Sequence, residues 1–150
     1  MKHQIILLGK DITSVYHGIK EFGPDHVHLL YTNETKEVAA PLFPLLPDGI
    51  RRTLYRTEPY DGEHVRNVCR KIHQTYPSAE FAYNLSEGTK VMAFAAFTIA
   101  KEYSVPAFYL SQLGELIRLD SFEKYPMQSQ LNNKEILGLS GNILTEYPVS

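Results

Sequence analysis

Tyr83-Asn84-Leu85-Ser86-Glu87-Gly88-Thr89-Lys90-Val91-Met92 joins an apolar strand-like run, Glu80 to Asn84, to an almost wholly apolar helical run that continues to Tyr103. A strand that passes through a short glycine-bearing turn into a helix is the local pattern of a parallel βαβ unit. The same junction suits an anion. The N–H groups of a first helical turn have no intrahelical acceptor and lie at the positive end of the helix dipole. Gly88 lets the chain approach closely, Thr89 adds a hydroxyl, Lys90 adds a mobile positive charge, and the Asn84 amide can read a sugar or base edge. The stretch is not a Walker loop, because the earlier glycine is missing and no Gly-Lys-Ser/Thr follows.

Working outward, the alternation of strand and helix repeats. Ile5-Ile6-Leu7-Leu8 reads as a fully buried first strand, and Gly9 to Ser14 as a turn in which Thr13 or Ser14 caps a helix. Val15, Ile19 and Phe22 recur at helical spacing until Gly23-Pro24. Val27 to Tyr31 is a second strand. Thr32 to Thr35 reads as a cap before a helix that prolines 41, 44 and 47 interrupt, and Arg51 to Arg56 as a third strand. Asp61-Gly62-Glu63 opens a helix with Val65, Val68, Cys69, Ile72 and Tyr76 on one face, ended by Pro77-Ser78. Ala107 to Leu110 is the fifth strand, and Leu113 to Leu119 is a turn feeding an antiparallel strand. The expected class is therefore α/β, a mainly parallel sheet flanked by helices with a C-terminal antiparallel hairpin. Gly9 to Ser14 and Asn84 to Lys90 both fall at the carboxyl ends of strands, where ligands bind such sheets.

The chain has 150 residues, 43% hydrophobic and 21% charged, enough for one domain with one core. Its net charge of −2 argues against an extended duplex nucleic acid partner, but not against a small nucleotide held by helix termini and one or two cations. There is no long apolar run and no signal-peptide pattern, so a cytoplasmic location without membrane contact is expected. The single cysteine, Cys69, excludes an intrachain disulfide and reads as a core residue. Residues 1–126 form the expected domain. Residues 127–150 begin with a polar, linker-like run and read as an extension, either a strap or the first piece of a further effector domain.

The Asn84–Met92 run resembles the signature of the CARF domains, Rossmann-like sensors of cyclic oligoadenylate messengers in type III CRISPR defence. Asn84, Ser86, Gly88, Thr89, Lys90 and Met92 match the motif, while Glu87 stands where a first glycine is usual. A carboxylate near phosphate is repelled, so Glu87 must point away, contact a base or ribose, or alter ligand choice. The resemblance covers roughly residues 3–125. It implies that Asn84, Leu85, Ser86, Glu87, Gly88, Thr89, Lys90 and Met92 face the ligand together with Gly9, Lys10, Asp11, Ile12 and Thr13. Thr32, Asn33 and Thr35 either touch outer nucleotides or cap a turn.

The implied function is binding of cyclic tetra-adenylate, or cyclic hexa-adenylate, by a homodimer that acts as a sensor for an effector. The helix from Thr89 to Tyr103 has no wide polar face, so it forms either a dimer interface or a central core helix. An even-membered ring fits a two-fold axis. An enzymatic alternative is a metal-independent ring nuclease, with Lys90, Ser86 and Thr13 (or Thr89) as the acting residues. A third is an unrelated Rossmann-like domain for mono- or dinucleotides, disfavoured because the first loop lacks Gly-x-Gly-x-x-Gly. No cofactor is expected. The six histidines show no metal-ligand spacing, although His26 and His28 share one side of a strand; His17, His64 and His73 read as helix-surface residues.

Overall fold

A computed structural model describes residues 1–128, 131 and 133–140. The apolar runs form five strands where expected: β1 (Lys2–Leu7), β2 (His26–Tyr31), β3 (Arg51–Arg56), β4 (Glu80–Asn84) and β5 (Ala107–Leu110). The helices between them are α1 (Ile12–Phe22), α2 (Gly62–Thr75) and α3 (Lys90–Glu102). Two further strands, β6 (Glu115–Arg118) and β7 (Lys124–Pro126), precede α4 (Asn133–Ser140). The strand order is β3-β2-β1-β4-β5-β6-β7, parallel from β3 through β5 and antiparallel across β5-β6-β7. The sheet is therefore Rossmann-like and mixed, and the expected hairpin is a three-strand meander.

Strand β1 has both neighbours parallel, so both of its faces are covered. Ile5 and Leu7 point into a core completed by Val65, Cys69 and Ile72 of α2 and by Met92 and Ile99 of α3. Ile6 and Leu8 point into the opposite core, with Val15 and Ile19 of α1, Leu42 and Leu46. Each such fully buried aliphatic side chain contributes about 1.5–3 kcal/mol relative to exposure. Cys69 is a core residue as expected, and burial pushes its thiol up to about 12, which keeps it protonated and inert.

Several expectations are corrected. Asp11, not Thr13 or Ser14, is the N-cap of α1, and its carboxylate accepts from Thr13 N at 2.9 Å. Residues 33–42 form consecutive turns and Phe43–Leu45 a short 3-10 helix, so the helix expected after Thr32 does not form. Prolines 41, 44 and 47 fall too densely for an i to i−4 ladder to propagate. His73 is buried, not on the surface: its Nε2 lies 2.8 Å from the Tyr83 hydroxyl, and its ring stacks on Tyr103 at 4.0 Å. Of the extension expected over 127–150, residues 133–140 are the α4 helix. It packs on α1 through Glu135, which accepts from the Tyr16 hydroxyl and pairs with Lys20 at 2.8 Å. Residues 141–150 lie outside the described residues.

Candidate ligand-binding site at the carboxyl ends of β1 and β4

The chain leaves β1 toward β2 on one side, while β4 lies on the other side of β1 and leads to β5. The order therefore reverses between β1 and β4, and a crevice opens at the carboxyl ends of such a pair. The loops that follow the two strands touch. A Cβ placed on Gly9 would lie 2.6 Å from Glu87 Oε1 and 3.0 Å from Gly88 N, so only hydrogen fits. Gly88 has φ +89, and a Cβ there would sit 3.1 Å from Leu7 Cβ; conformation and space both demand glycine.

Glu87 ties the two loops. Its Oε1 accepts from Asp11 N at 3.1 Å, which satisfies a donor just ahead of α1. Burial raises the Glu87 carboxyl above the usual range, the Asp11 and Lys10 N–H groups oppose that shift, and the Asp11 charge adds to it. At α3, Thr89 is the N-cap: its hydroxyl accepts from Met92 N at 3.0 Å and donates to the Pro59 carbonyl. Helix geometry leaves the Lys90 and Val91 N–H groups without intrahelical acceptors.

Two clefts flank the tie. The first, of about 300 Å³, lies between Gly9 and Lys10, the Thr32–Thr35 turn, Pro59, and Glu87, Gly88 and Thr89, with Met92 at its floor. The second, of about 360 Å³, lies between the N-terminal part of α1 with its cap (Asp11, Thr13, Ser14, His17) and the loop after β5, Ser111 to Gly114.

No protein-family model matches the sequence, and comparison with curated proteins gives no match. Solved structures do match. Can2 from Sulfobacillus thermosulfidooxidans, in complex with cyclic tetra-adenylate, aligns at a TM-score of 0.82 with 23% identity, over 94% of this chain and 41% of that one. A type III CRISPR defence DNA nuclease activated by cyclic oligoadenylate aligns at 0.73 with 21% identity, over 93% and 23%. Csm6 from Enterococcus italicus, bound to cyclic hexa-2′-fluoro-hexa-dAMP, aligns at 0.66 with 12% identity, over 99% and 40%. The chain has the fold of the aligned domains of these proteins. The chain spans about two fifths or less of the length of those proteins.

Within this fold the motif residues are placed differently. Gly9, Lys10, Glu87, Gly88, Thr89 and Met92 meet in the first cleft, and Asp11 and Thr13 line the second. Asn84, Leu85 and Ile12 are buried. The Asn84 amide donates to the Ser14 carbonyl at 3.3 Å, and its Oδ1 accepts from both Ser86 N and the Ser86 hydroxyl. Ser86 Oγ also accepts from Leu110 N at 2.8 Å, so Asn84 and Ser86 pin α1 and β5 to the end of β4. Lys90 lies outside both clefts, in an apolar groove with Val91 and Phe94 of α3 and with Gly62 and Arg66 of α2. Sequence reasoning missed Pro59, Ser111 and Gln112. The loop holding Ser111 and Gln112 follows a parallel strand just as Gly9–Thr13 does, and that position was the available signal.

Proposed function

We propose that this chain is a CARF sensor domain that binds cyclic tetra-adenylate across the two-fold axis of a homodimer. The observation that carries the reading is the joined pair of glycine loops at the reversal of strand order, where Gly9 and Gly88 bring backbone N–H groups and the α3 N-terminus to one cleft. Its support from comparison is a ligand class, cyclic oligoadenylate, named for each of the three structures described above. Cyclic tetra-adenylate is preferred over the hexa-adenylate because the higher TM-score belongs to the Can2 complex.

The dimer rests on α3. Phe94 is 75% exposed and Val91 40% exposed on a helix with no acidic residue in its first turn, an apolar face suited to a second copy. Such a pairing brings Lys90 of each subunit toward the axis, where the charge of one ring's phosphates is shared. The domain would serve a type III CRISPR ancillary effector in the cytoplasm, or hold the messenger on its own. Holding is favoured over ring cleavage, because the Ser86 and Thr89 hydroxyls already give their single protons to Asn84 Oδ1 and the Pro59 carbonyl, so neither has a proton to offer a phosphate oxygen.

Calorimetric titration with cyclic tetra-adenylate, cyclic hexa-adenylate and linear controls, followed by chromatography of the recovered ligand, tests the proposal. One intact tetra-adenylate ring per dimer is expected. Recovery as linear fragments would assign a ring nuclease, and no binding to either ring would overturn the reading.

A further inference from the structure

At the amino ends of β1 and β2, opposite the clefts, parallel pairing sets His3 beside His26 and Ile5 beside His28. All three histidines thus face α2. They are buried (2%, 1% and 0% exposed), with the His26 and His28 rings stacked at 4.1 Å and His3 within 5.1 Å of both. One nitrogen from each ring lies within 4.8 Å of the other two. Two ring nitrogens meet hydroxyls outside the cluster: His26 Nε2 lies 2.7 Å from Thr53 Oγ1, and His28 Nδ1 lies 2.8 Å from the Tyr55 hydroxyl. His3 Nδ1 and His28 Nε2 face each other at 2.9 Å. His26 Nδ1 is buried with no hydrogen-bond partner.

We propose that His3, His26 and His28 form a zinc site, through His3 Nδ1, His26 Nδ1 and His28 Nε2, that fastens β1 to β2 at the end of the sheet remote from the ligand clefts. A stack of core histidines would leave the His26 nitrogen orphaned, an outcome that protein interiors avoid. A metal gives it a partner. Three imidazoles with water in the fourth position are an established zinc donor set. Each of the other two contacts then has a role: Thr53 and Tyr55 accept the outer N–H of His26 and His28 and fix ring orientation, as groups behind metal-ligating histidines do. Tetrahedral ligation at about 2.0 Å sets nitrogens about 3.3 Å apart, so His3 and His28 must separate by a few tenths of an ångström, while His26 must close by up to about 1.5 Å and turn out of its stack on His28 to aim its lone pair at the ion.

The test is cobalt titration of the chelator-stripped chain. One equivalent of Co²⁺ should give the visible d–d absorption of a four-coordinate ion, and Zn²⁺ should displace it. Zinc at about 100-fold over its Kd should raise Tm by about 5–10 °C, an effect abolished by EDTA. His26→Gln should lose the absorption and the Tm rise, whereas His64→Gln, on the α2 surface, should keep both. Absence of the four-coordinate spectrum and of a Tm rise in the unaltered chain would overturn the site, and needs no variant to fold. Equal metal binding by His26→Gln, checked for native circular dichroism, would overturn it as well.

Discussion

Individual residues in the two joined loops carry separable effects. Gly88 and Gly23 both adopt positive φ, but a Cβ at Gly23 meets nothing within 4 Å while one at Gly88 meets Leu7. Gly23→Ala should therefore cost about 1 kcal/mol, the backbone term alone, and Gly88→Ala about 2–3 kcal/mol in denaturant titration. Asp11 separates capping from charge. Asp11→Ala should lose about 1 kcal/mol of stability with the α1 cap and yet bind the anionic ring more tightly, whereas Asp11→Asn should keep the cap and show only the tighter binding. Glu87 introduces pH dependence. Its carboxyl is raised in the free protein and bound phosphates would raise it further, so binding takes up a proton. Affinity should rise as pH falls from neutrality toward the carboxylate range, and Glu87→Gln, which keeps an acceptor for Asp11 N, should flatten that profile in calorimetry. Lys90→Ala should weaken ring binding by about 1.5–3 kcal/mol without affecting the fold, and unchanged affinity would contradict the proposed dimer axis.

At the scale of elements, periodicity made β1 to β5 and α1 to α3 legible, because each carries its own apolar pattern and punctuation. What periodicity could not supply was anything dependent on a distant partner. Asn84 read as a ligand contact, yet its amide reaches Ser14, seventy residues earlier in the chain. His3 could not be grouped with His26 and His28 until the β1–β2 register was known. The buried position of His73 was closer to legible, since it lies four residues after Cys69 on the α2 face; its polarity obscured that, and only the Tyr83 hydroxyl explains it. Segment 33–46 failed differently, because a cap signal and apolar spacing pointed to a helix while three prolines opposed it. The α4 helix was invisible because its docking depends on distant partners: Glu135 meets Tyr16 and Lys20, and Leu139 joins the core under α1. Burial together with the Glu135 contact pushes the Tyr16 hydroxyl up to about 12. Glu135→Ala should therefore loosen α4, seen as faster amide exchange over 135–139 with α1 and the strands unchanged.

For the whole molecule, the proposed dimer through the apolar face of α3 would couple oligomeric state to ligand binding. Phe94 is exposed and supports no core, so Phe94→Glu should keep a native circular dichroism spectrum, convert a dimer to a monomer in sedimentation, and abolish ring binding in parallel. Ring binding by that monomer at full affinity would detach the ligand site from the dimer. The strand order has a consequence for biosynthesis. Strand β1 can pair with β2 soon after both emerge from the ribosome, but its other edge waits for β4, which follows only after β3 and α2 have been made. Throughout that interval an edge bearing Ile5, Ile6 and Leu7 is open to a neighbouring nascent chain. A fragment stopped before β4 should aggregate, and one extended through Asn84 should be markedly less prone to do so.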